Sequence, residues 1–153
     1  MIRKNRFIEN TCYWILLILW LAFATILSRQ TGEETAEVSG GMSAWLCGLL
    51  GRVGITVDIS LLHSLIRRAA HIVIYLVIGF LMCRTFRLSF QGAWVLPLAL
   101  VLCIGIGVLD EYQKAFIPGR HCHWNDALLN CASCLPGVLI GRIVPLRTRS
   151  KTD

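Results

Sequence analysis

CYWILLILWLAFATILS, residues Cys12–Ser28, decides what kind of protein this is. The run carries no charge, and none occurs between Glu9 and Arg29. Crossing the ~30 Å hydrocarbon core of a bilayer takes about 17–25 mostly apolar residues in a helix. The helix is required because every backbone N–H and C=O inside lipid must find a partner within the segment. Three further stretches read the same way: Ala69–Cys83, Gly92–Leu109 and Asp126–Ile140. Each is short and is lengthened by its flanking turns. The whole chain agrees. It has 153 residues, 56% hydrophobic and 16% charged, with a mean hydropathy of +0.64. An ordinary soluble domain carries about 25% charged residues. That composition excludes a disordered chain and leaves too few polar residues to coat a soluble globule. The length excludes a two-domain enzyme. The expectation is an all-α, small polytopic transmembrane bundle of about four spans, forming one domain over residues 1–153.

Met42–Leu62 does not fit as a fifth span. Arg52 and Asp58 interrupt it, and Gly48, Gly51 and Gly54 weaken it as a helix. It reads as an interfacial or re-entrant segment, with Trp45 at headgroup level. Gln30–Gly41, just before it, reads as a polar outer loop. The N-terminus also resembles a signal peptide, with Ala22-Phe23-Ala24 as a cleavage site. The apolar run continues past that site through Ile26 and Leu27, which favours a retained anchor.

Four spans put both termini on one side, and the charges say which. Arg3, Lys4, Arg6, Arg84, Arg87, Arg142, Arg147, Arg149 and Lys151 fall on the terminal side against Glu9 and Asp153, a net of +7. The other side holds Arg29, Arg52, Arg67, Arg68, Lys114 and Arg120 against seven acids, a net of −1. The positive-inside rule therefore predicts cytoplasmic termini. The overall +6 is read as solvated, topogenic charge rather than a nucleic-acid footprint. Membrane lipids are the expected partners, nucleic acid is not, and the oligomeric state is left open.

Seven cysteines, an odd count, do not form a complete disulfide framework. Cys131-x-x-Cys134 lies inside the fourth span without a second pair and reads as packing. His121-Cys122-His123 has metal-ligand chemistry but no spaced partner cluster. No metal or cofactor is expected.

Ionisable groups at membrane depth are costly, so they point to function. Here they gather at one end of three spans. Arg68, His71 and Tyr75 follow i, i+3, i+7 spacing on one helix face. Asp126 and Asn130 are i, i+4, and Ser133 and Gly137 continue their stripe, small enough to admit a close neighbour. The third span ends in Asp110-Glu111-Tyr112-Gln113. Adjacent helical residues point about 100° apart. One carboxylate therefore lines the cluster, while the other pairs with Lys114 or faces headgroups. Pro118-Gly119 turns the chain and aims Arg120, suited to bidentate carboxylate or phosphate contacts, back at the carboxylates. The plainest alternative is a polar lock that merely holds helix ends together.

These residues resemble the VanZ-like family of bacterial membrane proteins. The resemblance rests on Arg67-Arg68-Ala69-Ala70-His71-x-x-x-Tyr75, Gly79, Asp110-Glu111-Tyr112-Gln113, Phe116-Ile117-Pro118-Gly119-Arg120 and Asp126-x-x-x-Asn130, between Leu62 and Gly141. Ser133 stands where the family often has glycine. The family is named for a member associated with teicoplanin resistance, and that is all the resemblance implies about role.

Two functional classes follow. In the first, a non-enzymatic envelope protein binds a lipid headgroup or lipid-linked cell-wall precursor through Arg68, Tyr75, Gln113, Arg120, Asp126 and Asn130. In the second, an intramembrane enzyme acts on a lipid-linked substrate. His71, Asp110 and Glu111 are then the acid–base candidates, and Arg120 stabilises developing negative charge. Transport fits less well, because the polar set stays at one end of the spans.

Overall fold

The computed structural model describes residues 2–146, with side chains from Arg6 onward. Arg147, Arg149, Lys151 and Asp153, counted above on the terminal side, lie outside the described residues. Five helices follow in order: α1 (Ile2–Ser28), α2 (Gly32–Arg52), α3 (Ile59–Ser89), α4 (Val95–Lys114) and α5 (Trp124–Ile143). Four are long and apolar enough to cross a membrane: Arg6–Ser28 of α1, and the whole of α3, α4 and α5. Three expected spans lie inside one of these helices and are extended by it, while the third, expected from Gly92, begins at Val95 and runs on to Lys114. Asp110, Glu111 and Lys114 continue α4 past the expected end at Leu109. They can do so because they pair with one another inside the protein. With 31 residues, α3 is about 46 Å long at 1.5 Å per residue, so it outreaches the hydrocarbon core.

α3 is the central helix, touching all four others. Its contact with α5 is the closest, and glycines set it. A Cβ on Gly79 would meet the Cys134 carbonyl, and one on Gly137 would meet the Leu76 carbonyl. In lipid no hydrophobic force separates helix–helix from helix–tail contact, so close backbone approach through small residues supplies the packing. The stripe read from the sequence is buried here as expected, with Asn130, Ser133 and Gly137 all inside.

The loop expected at Gln30–Gly41 is instead the first half of α2. Thr31 and Glu34 form a reciprocal capping box: Thr31 Oγ1 accepts from Glu34 N at 3.3 Å, and Glu34 Oε2 accepts from Thr31 N at 2.9 Å. Satisfying two terminal N–H groups starts a helix in a polar stretch that hydropathy reads as loop. Met42–Leu62 divides into the second half of α2, a bend, and the first turn of α3. Gly54, at φ 78°, makes the bend, and Asp58 caps α3 by accepting from Ser60 N at 2.9 Å. α2 is not among the helices apolar enough to cross. Among the described residues it packs on α3 alone, as an antiparallel partner. The Ser39 hydroxyl meets His63 Nε2, and Cys47 Sγ lies 3.8 Å from the Val57 carbonyl. His63 is therefore engaged by α2.

At the opposite end, Arg84 is not the solvated charge expected. It is 3% exposed and donates to the Val144 and Pro145 carbonyls at 2.7 and 3.2 Å. It also lies 3.6 Å from Glu9 and over the Tyr13 ring. Arg87 donates to the Gly141 and Arg142 carbonyls. A helix C-terminus leaves carbonyls unpaired, and these guanidiniums complete them for α5.

Candidate functional site

The site grows from the last turn of α4. Asp110 and Glu111 diverge as helical geometry demands. Glu111 is 1% exposed. Its Oε2 lies 2.5 Å from Lys114 Nζ, and its Oε1 accepts from His123 N at 3.1 Å, where α5 begins. A carboxylate there also faces the positive end of the α5 dipole. Asp110 lies 3.9 Å from Lys114 and accepts from Gln113 Nε2 at 3.1 Å. The pairing expected between one carboxylate and Lys114 is present and extends to both, with Lys114 itself 4% exposed.

Across from α4, His71 projects from α3. Its Nδ1 lies 3.0 Å from Asn130 Oδ1, and Asn130 Nδ2 donates to the Gly107 carbonyl at 3.5 Å. The amide nitrogen must face that carbonyl, because two oxygens cannot bond. Oδ1 therefore faces His71 and Nδ1 carries a proton, so in the neutral ring Nε2 is the acceptor. Gly107 permits the arrangement, since a Cβ there would press on Asn130 Cβ at 3.2 Å. The Tyr75 ring lies parallel to His71, with centroids 6.4 Å apart.

The turn after α4 delivers Arg120. Gly119 adopts φ 72°, a conformation glycine reaches without strain. Arg120 Nη1 donates to the Ser28 carbonyl at 2.6 Å, joining the turn to the end of α1. Burial, and then the nearby Arg67 guanidinium, pull the Arg120 pKa below the ordinary arginine value. It stays cationic at neutral pH all the same.

Two adjoining cavities result. The larger, about 620 Å³, lies between α1, α2 and α3 and has mainly apolar walls, with His71, Tyr75 and Asp110 on its polar side. The smaller, about 420 Å³, is lined by charged and imidazole groups including Glu33, Glu111, His121, His123 and Asp126. Thr35, Arg67, Lys114 and Arg120 line both.

The structure thus brings His71, Tyr75, Asp110, Glu111, Arg120 and Asp126 around one composite space. Gln113 and Asn130 brace it through Asp110 and His71 without lining it. Arg68 lines neither cavity, whereas its neighbour Arg67 lines both. The sequence held a signal for Arg67: Arg67, His71 and Tyr75 follow i, i+4, i+8 spacing, as good a face as the one through Arg68. That Lys114 pairs with both carboxylates, not one, follows from its i+3 and i+4 spacing. Among the described residues, neither Arg67 nor Arg120 has a carboxylate within 4.0 Å. Cys134 is buried and Cys131 Sγ points to the Ile104 carbonyl, both away from the cavities.

The family model described as VanZ/LLP1 matches residues 13–145. No curated protein and no solved structure matches the chain. With that match over most of its length, the chain belongs to the VanZ/LLP1 family.

Proposed function

We propose that this VanZ-like membrane protein binds the anionic headgroup of a lipid or lipid-linked, cell-wall-related ligand at the Arg67–Arg120 end of its bundle. That end faces outward from the bacterial inner membrane, with both termini in the cytoplasm. One observation carries the reading: two guanidiniums flank a shared cavity, and neither has a carboxylate partner among the described residues. Arginine's planar fork suits phosphate and carboxylate, and close like charges gain from an anion placed between them. His121 and His123 supply further polar groups at the rim, where the Glu33 and Asp126 carboxylates also line the cavity. The orientation draws support from Arg84, Arg87 and Arg142 at the other end of the helices. Sequestering a cell-wall-related ligand there connects the site to teicoplanin susceptibility, read as growth with and without the gene across a drug series.

The direct test is mass spectrometry of lipid retained by the purified protein. An anionic lipid enriched over its share of the membrane, and lost in Arg67→Gln/Arg120→Gln, is the expected result. A retained profile equal to the bulk membrane overturns the reading.

A second reading has its own observation. The Asn130 amide leaves His71 Nε2 as a base on the same cavity as Asp110 and Arg120. That is the arrangement acid–base chemistry on a lipid-linked substrate needs. If His71→Ala keeps lipid retention but abolishes a chemical change in the retained lipid, the protein is an enzyme. If retained lipid is chemically unchanged by the wild type, it is a binding protein.

A further inference from the structure

The larger cavity is poorly suited to a headgroup alone. Its walls between Trp20 and Arg67 are hydrocarbon, Phe23 and Leu27 of α1 with Val73 and Ile74 of α3, while Val38 and Met42 of α2 line it beyond Arg67, near His63. Ala24, Ala69 and Ala70 widen it because they carry only a methyl group. Trp20 closes it at depth, its Nε1 donating to the Ile74 carbonyl at 3.1 Å and so bridging α1 to α3. The opposite end opens on Arg67 and Arg120, which belong to both cavities. From Trp20 to Ser28 is eight residues, about 12 Å of rise, which is most of one leaflet of a ~30 Å core. Phe23 and Val73 on its walls are 45% and 56% exposed, so the groove is open sideways. A volume of about 620 Å³ falls within the roughly 300–1,000 Å³ of small-molecule sites. An apolar trough of leaflet depth, capped by two cations without carboxylate partners, has the polarity profile of one anionic amphiphile.

We infer that this groove holds a hydrocarbon chain of the anionic ligand, which lies along α1 with its charged group between Arg67 and Arg120 and enters sideways from the bilayer. The inference rests on the headgroup reading above and narrows it. The ligand is a membrane-resident anionic lipid that never leaves the hydrocarbon phase, not a soluble phosphate or carboxylate. The groove selects for the chain and the arginine pair for the charge.

The test uses the full chain in phosphatidylcholine nanodiscs, with phosphatidic acid carrying a mid-chain diazirine and a matched phosphatidylcholine probe. After photolysis, crosslinks are mapped by peptide mass spectrometry. The expected result is phosphatidic acid labelling of Phe23–Leu27 and Val73–Ile74, enriched about tenfold over phosphatidylcholine, the discrimination one charge-assisted hydrogen bond supplies. Ala70→Phe should fill the groove and abolish that enrichment while labelling of the outer surface of α4 persists. Ala69→Phe repeats the test if Ala70→Phe fails to fold by circular dichroism. Arg67→Gln/Arg120→Gln should reduce phosphatidic acid labelling to the phosphatidylcholine level. If phosphatidic acid is retained through the arginines but its chain labels the groove no more than the outer surface, the chain inference falls and the headgroup reading stands. Equal groove labelling by both probes overturns the headgroup reading and, with it, the anionic ligand inferred here.

Discussion

Replacing Lys114 by methionine removes the cation that lies 2.5 Å from Glu111 and 3.9 Å from Asp110. The side chains of Lys114, Asp110 and Glu111 are 6%, 10% and 1% exposed, so water does not screen the loss. Breaking one partner of a buried pair leaves an uncompensated charge and costs about 3–5 kcal/mol. At 1.36 kcal/mol per decade that is roughly two to three and a half powers of ten in the unfolding equilibrium. The cost should land mostly on Glu111, whose other contact is the single His123 amide, since Asp110 keeps Gln113. Adding Glu111→Gln removes the stranded charge while an amide oxygen still accepts from His123 N. The double variant should therefore recover most of the loss, giving a coupling energy of about 2–3 kcal/mol, the upper part of the range for contacting residues. Reversible unfolding in mixed micelles, titrated with dodecyl sulfate and followed by circular dichroism, measures all four corners of the cycle. A single variant within about 1 kcal/mol of wild type, or a double variant as unstable as the single, refutes the assignment of Lys114 as the internal counter-ion.

Gly137→Ala places a methyl group on the Leu76 carbonyl and should destabilise the bundle by about 1–3 kcal/mol through overpacking, measured in the same titration. Thr31→Ala removes the capping box and should cost α2 about 1 kcal/mol. Hydrogen exchange should speed up in the first turn of α2 and stay unchanged in α4 and α5. Arg84→Gln strips contacts from the end of α5 and should lower stability without changing which lipid is retained. A cytoplasmic fluorescent reporter fused at the C-terminus should be bright, and a periplasmic phosphatase fused there inactive. The reverse pattern refutes the outward orientation of the arginine pair.

The spans were legible because the cost of unpaired backbone in lipid writes itself into long apolar runs such as Cys12–Ser28. The Gly137 stripe was legible for a similar reason: close approach in lipid demands small residues at helical spacing. α2 was not read, although Thr31-x-x-Glu34 is a sequence-level capping signal, because the stretch is polar and hydropathy outvoted the cap. Choosing Arg67 over Arg68 needs the rotation of α3 about its own axis. Two adjacent arginines give equally good faces, and only the packing of α3 on its neighbours selects one. The Asn130 amide orientation, and with it the His71 tautomer, depends on a carbonyl contributed by α4 at Gly107, a contact no local pattern encodes.

The two ends of the helices carry arginines of opposite fate, and the contrast separates a polar lock from a binding site. At one end, Arg84 and Arg87 are matched by four carbonyls and Glu9. They finish a helix terminus that would otherwise present bare acceptors. At the other, Lys114 holds Asp110 and Glu111, Glu111 holds the start of α5, and Arg120 ties the turn to the end of α1 through a single carbonyl. Arg120 has one carbonyl, and Arg67 lines two cavities with no carboxylate in reach. Arg67 is exposed and Arg120 half-buried, so both keep donors free to meet a ligand. Two cations with free donors on one cavity are what the proposed anionic ligand would complete, and the apolar walls beside them suit one that carries a chain.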